Sequence, residues 1–178
     1  RANGMTIAVA RGGNIIGGGD WAENRIVPDY MRALFGGSPL VLRNPEAVRP
    51  WQHVLALVHS YLMLGAGILT GKDAPSPVYN FGPRDDEAKS VRALVEALAS
   101  NDKRPDIRYE PGTFIETKLL RVDSSAARGD LGWRPPIGFD DTVAMTMAWY
   151  DQVNSTPTSA RAVTRAQIDA YRAKIGTV

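Results

Sequence analysis

Residues 6–10, Thr-Ile-Ala-Val-Ala, form an unbroken apolar run that leads straight into a loop carrying Gly12, Gly13, Gly17, Gly18 and Gly19. A strand with one wet face alternates polar and apolar residues. A run that is apolar on consecutive positions suits a strand buried on both faces of a parallel sheet. Such a strand needs neighbours, so the chain is expected to begin inside a larger α/β fold.

The pattern along the rest of the sequence alternates in the same sense. Ile26, Met31, Leu34 and Phe35, with Pro28 early, predict a helix stopped by Gly36-Gly37. Leu40-Val41-Leu42 predicts a short strand, and residues 48–53 are extended because Pro50 disfavours helix at Arg49. Residues 54–69 predict a largely buried helix, and residues 77–81 another strand closed by Gly82-Pro83. Ser90 is a fitting N-cap for a helix over 91–99. Beyond it come a strand at 107–109, an extended stretch at 119–123, a short helix at 124–131 and helices at 140–153 and 164–175. Ile168, Tyr171 and Ile175 share one stripe of the last helix, and residues 154–159, broken by Pro157, read as a linker. No internal repeat is visible.

Composition removes several function classes. A chain of 178 residues can bury a real core as one domain, residues 1–178. A net charge of +2 is small and gives no sign of a basic face, so no nucleic-acid partner is expected. No apolar run approaches the roughly 20 residues of a bilayer span, so no membrane partner is expected. The absence of cysteine excludes disulfides, thiolate catalysis and cysteine-bound zinc, and fits a cytoplasmic setting. His53 and His59 are too few for a histidine-rich metal site, and His53, between a strand and a helix, is expected to serve as a structural hydrogen-bonding group rather than a general base.

Gly17, Gly19 and Ala22 formally satisfy the glycine pattern of a dinucleotide loop. That pattern requires a tight turn from strand to helix, so that first-turn amides reach a pyrophosphate. The stretch from Ala10 to a helix starting near Arg25 is too long for such a turn, and Arg43 rather than an acid follows the second strand. A phosphate-binding P-loop fails too, since no Lys-Ser/Thr pair follows the glycines. Asn14, between a strand end and the glycines, still marks the loop as a ligand site, because ligands bind beyond the carboxyl ends of parallel strands.

Four segments then point in one direction: Ala-Arg-Gly-Gly-Asn-Ile-Ile-Gly-Gly-Gly-Asp-Trp-Ala-Glu-Asn-Arg-Ile-Val-Pro-Asp from Ala10, Val-Leu-Arg-Asn-Pro-Glu-Ala-Val-Arg-Pro-Trp-Gln-His-Val from Val41, Tyr-Asn-Phe-Gly-Pro from Tyr79 and Leu-Gly-Trp-Arg-Pro from Leu131. In order and spacing they resemble the nucleotide-sugar 4,6-dehydratases of the extended short-chain dehydrogenase/reductase superfamily. The Gly-Gly-Gly-Asp-Trp and Arg-Pro-Trp-Gln-His-Val words are most similar to members that act on CDP-glucose. The resemblance covers about the carboxyl-terminal half of such an enzyme. It implies a remnant of parallel Rossmann-type sheet plus a small mixed α/β substrate-binding lobe, from a cytoplasmic homo-oligomer that uses NAD.

The resemblance also assigns residues. Arg49 matches the family's pyrophosphate-binding arginine, and Asn14 and Asn80 match asparagines that contact the substrate. Arg25, Ile26, Val41, Leu42 and Arg43 fall where relatives flank the base, and Glu116 falls at an acidic position near the ribose. The glycines of residues 17–19 are expected to leave this ligand room. The family's Tyr-x-x-x-Lys pair is absent, since no tyrosine here is followed four residues later by lysine. No catalytic residue is therefore expected in this chain, and NAD is expected to be held mainly by an amino-terminal half that the chain does not contain.

Overall fold

The computed structural model describes residues 6–70, 76–84, 86–99, 104–110 and 117–176. In chain order these form β1 (Val9–Gly12), β2 (Asn14–Ile16), α1 (Ile26–Gly36), β3 (Leu40–Leu42), β4 (Val48–Arg49), β5 (Trp51–His53) and α2 (Val54–Leu69). There follow β6 (Val78–Phe81), β7 (Lys89–Ser90), α3 (Val91–Leu98), β8 (Ile107–Tyr109), α4 (Ser125–Leu131), α5 (Phe139–Ser155), a short 3-10 turn (Pro157–Ser159) and α6 (Ala160–Ile175).

The strands pair as four two-stranded ladders. Three are parallel, β1 with β6, β2 with β5 and β3 with β8, and β4 with β7 is antiparallel. β1 and β2 follow each other with only Gly13 between them, yet they have different partners. The Gly13 N–H donates to the Phe81 carbonyl of β6 at 3.0 Å, and the Asn14 N–H donates to the Pro50 carbonyl before β5 at 2.9 Å. A Cβ on Gly13 would lie 2.5 Å from the Pro50 oxygen, so glycine is what allows the change of partner. Ligand crevices in open α/β sheets lie beyond the carboxyl ends of strands where neighbours diverge, which places one beyond β2.

The larger core joins Tyr30 and Met31 of α1, Leu40 and Leu42 of β3, Leu94, Val95 and Leu98 of α3, and Val143, Met147 and Tyr150 of α5. α1 stops where Gly37 takes φ 67°, and Ser90 caps α3 by accepting from the Ala93 N–H at 3.1 Å. A smaller core holds Tyr79 and Phe81 of β6 against Leu64 of α2, Ala127 and Trp133.

Three expectations need correction. The first strand runs over Val9–Gly12 rather than residues 6–10, and it is not buried on both faces: Ile7 is 72% exposed. Among the described residues β6 covers one edge of β1 and no strand lies on the other. α2 is not largely buried, since only Ala56, Ser60 and Leu64 are fully buried while Val58, Tyr61, Leu62 and Leu69 are exposed. Residues 154–159 do not separate two units. They turn α5 back into α6, and the two helices are joined by Trp149 Nε1 donating to Thr164 Oγ1 (2.9 Å) and Gln167 Nε2 donating to the Met145 carbonyl (2.6 Å). Among the described residues no helix is long and apolar enough to cross a membrane.

Candidate functional site

Beyond β2 and β3 opens a cleft of about 690 Å³. Its walls come from Asn14 and Ile16 of β2, the residues entering α1, Val41 to Asn44 at the end of β3, and Arg49 and Trp51 from β4 and β5. Seven residues chosen from sequence meet here: Asn14, Arg25, Ile26, Val41, Leu42, Arg43 and Arg49. Asn80 does not line it. Asn80 lies on β6, and its amide donates to the Asp123 carbonyl at 3.2 Å. Glu116 lies outside the described residues.

The three arginines stand in different surroundings. Arg49 is 6% exposed, and its Nη1 donates to the carbonyls of Val48 (2.9 Å) and Thr117 (2.8 Å), which fix the guanidinium against the antiparallel ladder. Arg25 is the exposed N-cap of α1, with its Nη1 3.1 Å from Asp20 Oδ2. Arg43 is exposed just past the carboxyl end of β3. Asp29, in the first turn of α1, is held by Arg32. The cleft thus mixes arginine, asparagine and aspartate side chains with the apolar Ile26, Val41, Leu42 and Trp51.

Sequence reasoning missed Asp20, Asn24, Asp29 and Asn44, which also line the cleft. Asp20 and Asn24 flank the tryptophan of the glycine loop, and the left-handed backbone of Asn24 (φ 61°) marks a built turn. Trp51 is buried, with its Nε1 donating to the Lys89 carbonyl at 2.9 Å, and Trp21 is exposed against Tyr150.

His53 serves the backbone, as expected. Its Nδ1 accepts from the Leu55 N–H at 3.2 Å and so caps α2. Burial pulls its pKa down to about 4, so the ring is neutral at neutral pH. Its Nε2 has no hydrogen-bond partner in the structure.

Of the three glycines only Gly17 lines the cleft; Gly18 and Gly19 do not. A Cβ on Gly18 would lie 2.0 Å from Trp149 Cγ, and one on Gly17 would lie 2.7 Å from Val54 Cγ1. These residues are small because α5 and α2 pack against the loop from behind. The loop also lacks the tight turn of a dinucleotide site: residues 17–25 intervene between β2 and α1, and the space beside Gly18 where a Cβ would sit is taken by the Trp149 indole. These residues do not fit a dinucleotide. Among the described residues no group of three His, Asp or Glu side chains could hold a metal.

No family model matches the sequence. The chain has an α/β fold that superposes on MoeE5, solved in complex with UDP-glucuronic acid and NAD, with a TM-score of 0.73 at 21% identity, over 85% of this chain and 50% of that one. By sequence the chain is similar to nucleotide-sugar 4,6-dehydratases. It is 35% identical over 150 residues to CDP-glucose 4,6-dehydratase of Salmonella typhimurium, covering 83% of this chain and 42% of that protein. It is 27% identical over 152 residues to dTDP-glucose 4,6-dehydratase of an Actinoplanes species, covering 84% of this chain and 45% of that protein. The chain thus spans less than half the length of these curated relatives.

Proposed function

We propose that this chain is the substrate-holding part of an NAD-dependent nucleotide-sugar 4,6-dehydratase that acts on CDP-glucose. The whole enzyme would remove water from CDP-glucose to give a 4-keto-6-deoxy sugar nucleotide. The groups that hold NAD and move protons would lie in a portion that pairs with this chain, so the 178-residue chain alone is expected to bind substrate and not to turn it over. The full protein is read as a cytoplasmic homo-oligomer.

One observation carries the reading: residues selected only by resemblance, from four separate elements, converge on a single cleft. A pyrophosphate carries two charges and rewards guanidinium forks and amide donors. Arg49 and Asn14 are the groups that would bind and orient it. Arg25, Ile26, Val41 and Leu42 would flank the base. Arg43 would donate to cytosine, which offers acceptors at O2 and N3.

Calorimetry of the chain with CDP-glucose, UDP-glucose and dTDP-glucose tests this. CDP-glucose should bind tightest, and equal or absent binding overturns the cytidine assignment. Arg49→Ala should weaken binding by about 2–5 kcal/mol if the guanidinium pairs a desolvated phosphate. Because Arg49 also ties two carbonyls, Asn14→Ala supplies a second variant; unchanged affinity in both removes the pyrophosphate assignment.

A further inference from the structure

The cleft wall made by residues 17–25 is held from behind by two helices that, among the described residues, contribute nothing to the cleft lining. Gly18 lies on the Trp149 indole of α5, and that indole is itself tied to Thr164 of α6. The next residue, Tyr150, donates its hydroxyl to the Asp20 carbonyl, and its ring meets Trp21 edge-on at 5.1 Å. Burial, helped by Asp20, pushes the Tyr150 pKa up to about 12, so the hydroxyl remains a donor at neutral pH.

Asp20 is thereby held at both ends. Its carbonyl is fixed by α5, its Oδ1 accepts from the Ala22 N–H at 3.0 Å, and its Oδ2 pairs with Arg25 at 3.1 Å. From the other side Arg32 donates to the carbonyls of Trp21 (2.8 Å) and Ala22 (3.2 Å). Arg25 is exposed, and a long side chain at the surface loses affinity to its own rotamer freedom unless something orders it. The order here comes through Asp20 from Tyr150.

We propose that Tyr150 is a positioning residue for the cleft: by fixing Asp20 it sets where Arg25 presents its guanidinium to a nucleotide sugar in the cleft. The tyrosine touches no ligand itself. This rests on the reading of the cleft as a nucleotide-sugar site, and the experiment separates the two.

CDP-glucose affinity is measured by calorimetry for the unsubstituted chain, Tyr150→Phe, Arg25→Ala and the double variant, with thermal denaturation alongside. If the unsubstituted chain binds no CDP-glucose, the nucleotide-sugar reading falls first and takes this proposal with it. If it binds, Tyr150→Phe should weaken binding about threefold to thirtyfold, and the double variant should bind no more weakly than Arg25→Ala alone. Tyr150→Phe that lowers the melting temperature but leaves affinity unchanged, or a double variant in which the losses simply multiply, overturns the proposal. Should Tyr150→Phe fail to fold, Asp20→Asn breaks the same link at its other end. It keeps the carbonyl and removes the ion pair, so it should lose affinity; unchanged or tighter binding there also overturns the proposal.

Discussion

α2 and α5 are nearly equal in length, 16 and 17 residues, and their burial runs opposite to their composition. α2 carries no Asp, Glu, Lys or Arg, yet buries only Ala56, Ser60 and Leu64. α5 carries Asp140, Asp141 and Asp151, yet buries Phe139, Thr142, Val143, Thr146, Met147, Trp149 and Tyr150. The difference lies in neighbours. α5 is enclosed by α3, α6 and the cleft loop, whereas α2 meets β5, β2, the small core around Leu64 and, through Ala56 and His59, Tyr171 of α6, and leaves Val58, Tyr61, Leu62 and Leu69 to solvent. Apolar content states how much surface a helix could bury, and the partners decide how much it does.

The contrast can be broken most sharply at Leu94 and Leu62. Leu94 is 0% exposed in the large core, and Leu94→Ala should cost about 2–5 kcal/mol in urea denaturation. Leu62 is 67% exposed on α2, and Leu62→Ala should stay within about 0.5 kcal/mol. Similar losses at the two sites would show that α2 is covered in solution.

His53 stands at the joint between the regions, at the end of β5 and the N-cap of α2. Its folded pKa, near 4, is depressed by burial below the ordinary histidine value, so the unfolded chain binds the proton more tightly. The stability this contributes is fully present above the unfolded pKa of about 6.5 and is lost as pH falls through 4, up to about 3 kcal/mol. His59, also lowered by burial, adds in the same direction. Urea midpoints measured from neutral pH downward should fall steeply, and His53→Asn, which keeps an acceptor for the Leu55 N–H, should flatten the slope.

A second pair of substitutions is smaller, and its two members are opposite in sign. Gly18→Ala drives a methyl into Trp149 and should destabilise by about 1–3 kcal/mol. Gly65→Ala in α2 meets nothing within 4 Å and should stabilise by about 0.5–1 kcal/mol. Two losses of equal size would mean that α2 is packed as tightly as the loop.

The same two regions explain what could be read from sequence. β3 and β8 lie where expected, α2 has its expected bounds, and Ser90 caps α3, because capping and periodicity act over a few residues. The convergence of Asn14, Arg25, Val41 and Arg49 was legible through resemblance, since each sits within a word that resembles the family. The purpose of Gly18 was not, because its partner Trp149 lies near the other end of the chain and no local pattern joins them. The exposure of α2 was equally hidden: a run of apolar residues looks the same whether or not anything covers it.

The change of partner at Gly13 has a kinetic side. The three parallel ladders join Val9 to Val78, Asn14 to Trp51 and Leu40 to Ile107, each closing a long excursion of chain before its first backbone bond is made. Loops of that kind must be closed before their contacts repay the lost entropy, so such pairings form slowly. The cleft is bounded by two of these ladders, and it takes shape only after both have closed. Translation and early collapse would leave the helices formed while the arginines of the cleft still belong to separate pieces of chain.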